Sequence, residues 1–112
     1  MTLSNAAAWL VLLAAGLLEI VWSVSMKASE GFTKPLLTAI TIAAAWFSFW
    51  LLGLSLKVLP VGTAYAVWTG IGAIGAAVLG IFLFKEPATV ARLGCIVLIV
   101  AGILGLKVTS GH

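Results

Sequence analysis

The sequence predicts an all-α membrane protein, a four-transmembrane-helix up-down bundle that functions as an antiparallel, dual-topology homodimer. Composition, spacing and loop length carry that prediction. Of 112 residues, 63% are hydrophobic and 8% are charged, whereas a soluble domain carries about 25% charged residues. A small domain leaves a large share of its residues at the surface, so it could not hide this much apolar area from water. The apolar residues fall into stretches at about 6–26, 35–56, 61–84 and 88–106, each near the ~20 helical residues that cross a hydrocarbon core of about 30 Å. The breaks between them are short, so successive helices run antiparallel.

The first stretch passes through "GLLEIVWSVSMK", residues 16–27, in which Glu19 is the one acid. With no Lys or Arg before the run and a glutamate inside it, the segment does not read as a secretory signal. The break "KASEGFTKP" holds Lys27, Glu30, Gly31 and Lys34, and sets Pro35 at the first position of the second helix, where its missing N–H is not needed. "LKVLPVG" punctuates the chain with Lys57, Pro60 and Gly62, and "KEP" turns it on Lys85, Glu86 and Pro87. No loop is long enough for a second domain, and the spans do not repeat one another. The chain reads as a single transmembrane domain over residues 1–112.

The net charge of +3 comes from six basic residues against three acids. The basic residues lie at span ends, where Lys and Arg anchor helices in the headgroup region, and they form no patch for nucleic acid. Lys27, Lys34, Lys85 and Arg92 fall on one side of the membrane, and Lys57, Lys107 and the N-terminal amine on the other. That bias is weak, so the chain can insert in both orientations. An enzyme is excluded by the lack of a metal-ligand cluster or a nucleophile paired with a base, and the single histidine, His112, is terminal. No cofactor or metal is expected. Cys95, in the fourth span, has no intrachain partner and reads as a small packing residue. Glu86, at the start of that span, suits the positive end of a helix.

Glu19 is the anomaly. A charged residue at mid-membrane costs at least ~2.5 kcal/mol on insertion scales and by default marks an ion or proton pathway. A glutamate that only ties helices together would need a partner at its depth, and no Lys, Arg or His lies there. Trp22 shares its helical face at i, i+3, with Ala15 and Ser23 alongside. In the third span, "TAYAVWTGIG" puts Tyr65 and Trp68 at the same spacing, with Thr69 and Gly72 continuing the face. In the second, Thr38, Thr41, Ala45, Ser48, Leu52 and Ser55 form a mildly polar stripe. Aromatic faces around an anion make a site for a cation, because ring quadrupoles attract positive charge. Interfacial belts also use aromatic residues, which suits Trp9, Phe82 and Phe84, but Trp22 and Trp68 sit deeper than a belt.

The third span also carries Gly62, Gly70, Gly72, Gly75 and Gly80, and each glycine inside a helix costs about 0.5–1 kcal/mol relative to alanine. Close helix contact or a hinge would account for them, and "TGIG", with Gly70 and Gly72, is the expected bend. In the fourth span, Ala91, Gly94, Leu98, Ala101 and Gly105 make a small-residue seam suited to another helix. Ordinary packing within one bundle is the alternative. The fourth helix therefore reads as an assembly element. Transporters usually place their site at midplane between two inverted repeats, and this chain has room for one. Two copies inserted in opposite orientations would supply the pair, with both Glu19 side chains in a shared chamber.

Taken together, the lone first-span glutamate, "SEGF", "SFWLL" and "LPVGTAYAVWTGIGA" closely resemble the small multidrug resistance transporters, over nearly the whole chain. "EIVW", which supplies Trp22, and "FKEP" are most similar to the branch that exports guanidinium. The branch that exports bulky quaternary ammonium ions typically has smaller residues where Trp22 sits. The resemblance implies that Glu19 binds substrate or protons and that Trp22, Ser48, Tyr65 and Trp68 line or order the site. It also implies that the "GIG" stretch flexes, that the fourth span dimerises, and that the protein resides in a prokaryotic inner membrane. The N-terminus is slightly longer than the family's, and the terminal "TSGH" has no assigned role.

The mechanism implied is competition. A protonated carboxylate has little hold on a cation, whereas an ionised one forms charge-assisted hydrogen bonds with it. Guanidinium is planar, and its forked donors match a carboxylate in a bidentate pair. Ser48 is placed to orient that carboxylate and Trp22 to wall the site. If only occupied states rock between the two faces, proton influx drives cation export. Two other readings stand beside this one: a broad exporter of quaternary ammonium or hydrophobic cations, and a membrane subunit of an obligate heterodimer in which Glu19 docks against a partner.

Overall fold

A computed structural model describes residues 3–109 and holds four helices: α1 (Asn5–Ala28), α2 (Pro35–Ser55), α3 (Val61–Leu83) and α4 (Val90–Thr109). The N-terminal amine and His112 lie outside the described residues. Even α4, with 20 residues, reaches about 30 Å at 1.5 Å per residue, enough to cross the hydrocarbon core. All four helices are long and apolar enough to cross a membrane.

Local chemistry sets the helix ends. Ser4 caps α1 by accepting the Ala7 N–H at 3.1 Å, a contact that contributes about 1 kcal/mol. Pro35 opens α2. The α4 helix begins at Val90, slightly later than the sequence pattern suggests, because the Thr89 hydroxyl accepts the Arg92 N–H at 3.1 Å and so acts as the cap. The first loop turns through three left-handed residues, Glu30, Gly31 and Phe32, two of which carry side chains. Buried Ser29 holds that turn. Its hydroxyl donates to the Met26 carbonyl at 2.6 Å and accepts the Phe32 N–H at 3.1 Å. Its carbonyl accepts the Thr33 N–H at 2.9 Å.

The helices pack as a row. The α1 helix lies against both α2 and α3, α3 against α4, and α2 barely meets α3, while the α4 backbone runs close to α3 alone. The molecule is correspondingly thin, 40 × 35 × 16 Å. The pairings follow the up-down order. Ser25 meets Thr41 and Ala15 meets Ser48, so α1 and α2 are antiparallel. Gly16 faces Ile71, Glu19 faces Gly72 and Ile20 faces Gly75, so α1 and α3 are parallel.

The core is small: Ala8, Leu12, Ala15, Leu52, Leu59, Ala64, Val67 and Trp68 form one buried cluster. Small residues let the backbones approach, as expected where the surrounding lipid offers no hydrophobic drive for helices to associate. The polar stripe of α2 faces this core. Thr41, Ser48 and Ser55 are buried, and each makes a hydrogen bond, since an unpaired hydroxyl there would carry its full desolvation penalty.

Candidate cation site

Helices α1, α2 and α3 converge around Ser48 and Trp68. Gly72 on α3 brings its backbone so close to α1 that a Cβ there would collide with the Glu19 carboxylate. The carboxylate thus rests on a bare stretch of helix. Its Oε1 is buried and has no hydrogen-bond partner among the described residues. One turn further along α1, the Trp22 indole nitrogen is likewise buried and unpartnered. An unpaired acceptor and an unpaired donor at i, i+3 lie on one helix face. Buried polar atoms are normally satisfied, so this pair marks where a polar guest would be held.

Hydrogen bonds across three helices support the wall behind it. Trp68 donates its indole N–H to Ser48 Oγ at 2.9 Å, and Ser48 donates to the Ala15 carbonyl at 2.7 Å. Ser48 is fully buried and Trp68 nearly so. The single Ser48 proton is committed to Ala15, so in this conformation Ser48 orients Trp68 and not Glu19. Aromatic rings continue the wall. The Phe49 ring lies 6.2 Å from Trp22 and 5.4 Å from Trp68, and Tyr65 lies 5.5 Å from Trp68, all in tilted arrangements. Tyr65 is 56% exposed, at the open end of the run.

Trp68 thus joins Ser48, Phe49 and Tyr65, Phe49 links it to Trp22, and Glu19 lies against Gly72, one turn beyond Trp68 on α3. Phe49 belongs with them and was missed by sequence reasoning: it lies one residue off the polar stripe of α2, although it stands within "SFWLL". The Ser25–Thr41 hydroxyl contact of 2.8 Å was missed as well; a serine in a greasy helix was its one visible signal.

The two glycines of the expected bend face different neighbours. Gly72 faces Glu19, whereas a Cβ at Gly70 would lie 2.8 Å from Ile103 of α4. Between them α3 continues as helix. In α4, Ala91, Gly94, Leu98, Ala101 and Gly105 are all exposed, and a Cβ at Gly94 or Gly105 would meet nothing within 4 Å. The opposite face packs on α3 through Ile99 and Ile103. At the far end, Glu86 does not serve as a simple cap: it pairs with Arg92 at 2.7 Å and sits against Gly80. No group of His, Cys, Asp and Glu able to hold a metal occurs among the described residues.

The arrangement offers a half-buried carboxylate with one unpartnered oxygen, an unpartnered indole nitrogen and aromatic walls, a combination that can bind a small cation. A family model described as Small Multidrug Resistance protein matches residues 7–99. A protein of Citrobacter freundii named guanidinium exporter is 56% identical over 102 residues, covering 91% of this chain and 97% of its own. One of Salmonella typhimurium strain LT2, with the same name, is 55% identical with the same coverage. One of Yersinia pseudotuberculosis, also so named, is 52% identical over 103 residues, covering 92% of this chain and 99% of its own.

Proposed function

From the premise that the chain belongs to the small multidrug resistance protein family, a family of transporters and not enzymes, we propose that it exports guanidinium and small substituted guanidinium ions in exchange for protons. Its four apolar spanning helices and its bacterial relatives make it a multi-pass protein of a prokaryotic inner membrane. The observation that carries the proposal is the buried, unpartnered Glu19 oxygen beside the unpartnered Trp22 indole.

Guanidinium answers the site's chemistry. Its forked N–H donors pair with an ionised Glu19 in two parallel hydrogen bonds, and the Trp22, Phe49 and Trp68 rings face its flat cation. When Glu19 is protonated, the charge that holds the cation is gone. Protons and guanidinium then compete for one group, and exchange follows if only occupied forms reorient. Two copies in opposite orientations supply the inverted pair that alternating access uses. In that dimer the exposed seam of α4 makes the contact, and α3 flexes at Gly70 and Gly72.

Transport into proteoliposomes tests this reading. An outward proton gradient should drive guanidinium uptake, and Glu19→Gln should abolish it. At pH values where Glu19 is mostly protonated, one competing proton per carboxylate should raise the apparent KM about tenfold for each unit of acidification. Failure of a folded dimer to move guanidinium would overturn the proposal. Transport of a tetraalkylammonium ion as fast as guanidinium would assign the protein to the broad-specificity branch, against the filling of the site by Trp22.

A further inference from the structure

A cavity of about 590 Å³ has a lining that does not include Glu19. It forms because the α4 backbone runs close to α3 but not to α1, which it meets where Lys107 lies over Trp9, and this leaves a groove floored by α3 and walled by the other two helices. Trp9 and Leu13 form one wall, Val67 and Ile71 the floor, and Ile103, Leu104 and Lys107 the other wall. The lining is almost wholly apolar, and among the described residues no acidic side chain lines it. The one charge that lines it among the described residues is Lys107, in the last turn of α4, whose ammonium lies 4.8 Å from the centre of the Trp9 ring.

The groove is polar at one end only. Trp9 and Lys107 both lie at the membrane end where α1 begins and α4 finishes, and tryptophan with lysine is the usual furniture of a headgroup region. From Asn5 to Leu13, both lining residues, α1 advances about 12 Å at 1.5 Å per residue, close to the ~15 Å depth of one leaflet's hydrocarbon. The floor is firm: a Cβ at Gly70 would lie 2.8 Å from Ile103, and one at Gly16 would lie 2.8 Å from the Cβ of Ile71.

We propose that this groove binds one anionic phospholipid, its acyl chain lying between α1 and α4 to midplane depth and its phosphate on Lys107. A neutral zwitterionic lipid matches the groove but not its charge, because the cationic choline at its end would meet Lys107. The bound lipid fills the gap between two helices whose backbones stay apart.

Trp9 is a built-in reporter. The full-length protein would be reconstituted in mixed phosphatidylcholine and phosphatidylglycerol vesicles, with bromine on the upper acyl chain of one lipid or the other. The Trp9 signal is the difference in fluorescence between wild type and Trp9→Phe. Brominated phosphatidylglycerol should quench it several-fold more than brominated phosphatidylcholine at equal mole fraction. Lys107→Gln should remove that preference, and Lys57→Gln, which changes a charge on the same membrane side away from the groove, should keep it. Equal quenching by the two lipids would overturn the proposal, as would loss of preference in both lysine variants, which would mean general surface charge. A Trp9 signal that neither lipid quenches would also overturn it, showing the groove covered by another copy of the chain.

Discussion

At Ser48 one hydroxyl joins three helices, which makes its removal informative. Ser48→Ala leaves the Trp68 indole buried without an acceptor, a loss of about 1–3 kcal/mol, and it frees the central ring of the wall. Thermal unfolding in detergent should register the first effect and a raised guanidinium KM the second. Trp68→Phe removes the donor itself, so Ser48 keeps its bond to Ala15 and stability should fall less. Gly72→Ala behaves differently. The new methyl would meet the flexible end of Glu19, so the side chain swings away, the helix gains propensity, and the protein should fold with wild-type stability while its transport collapses. Equal transport by Gly72→Ala would show that Glu19 does not act from this position. The sequence made Glu19 and Trp22 legible because an acid in hydrocarbon is costly and Trp22 lies on its face. Phe49 was not legible, since a phenylalanine in an apolar helix carries no anomaly. Nor was the role of Gly72 beneath the carboxylate, because opposing positions on α1 and α3 are set by packing between distant segments.

Among the elements, α4 stands apart. None of its residues is buried, and its small-residue face, with Gly94 and Gly105, has open space beside it. Within one chain, a larger side chain at Gly94 should therefore cost nothing. Gly94→Leu is expected to leave helix content unchanged in circular dichroism and to lower the dimer fraction on cross-linking; an unaffected dimer would place the subunit contact elsewhere. The α4 pattern could be read because small residues at three-four spacing are visible in one dimension. Its start could not, since Thr89 and Pro87 compete for the boundary and hydrogen-bond geometry favours Thr89. The α2 stripe was legible as a pattern but not in direction: Thr41 finds Ser25 and Ser48 finds the Ala15 carbonyl on α1, whereas Thr38 and Ser55 bond carbonyls three or four residues back along their own chain.

As a whole the molecule is a thin row of helices, one wall of a chamber more than an enclosure, and the proposed second copy would complete it. Sidedness then becomes a lever. Lys57→Gln with Ala88→Lys moves positive charge to one side and should fix the orientation of the chain. Expressed alone, that variant should lose guanidinium resistance; co-expressed with a variant biased the opposite way, it should recover it. Full activity of the biased variant alone would mean that a parallel dimer works. The four spans and their alternation were open to reading from composition and loop length, whereas the row was not, because the order α2, α1, α3, α4 depends on which faces accept a close neighbour. Finally, the carboxylate rests on Gly72, the residue about which α3 is proposed to flex. Any bend there alters the space around Glu19 at once, and any guest on Glu19 presses on the pivot. Sensor and actuator are then a single pair of residues, and the signal that the site is filled has no distance to travel.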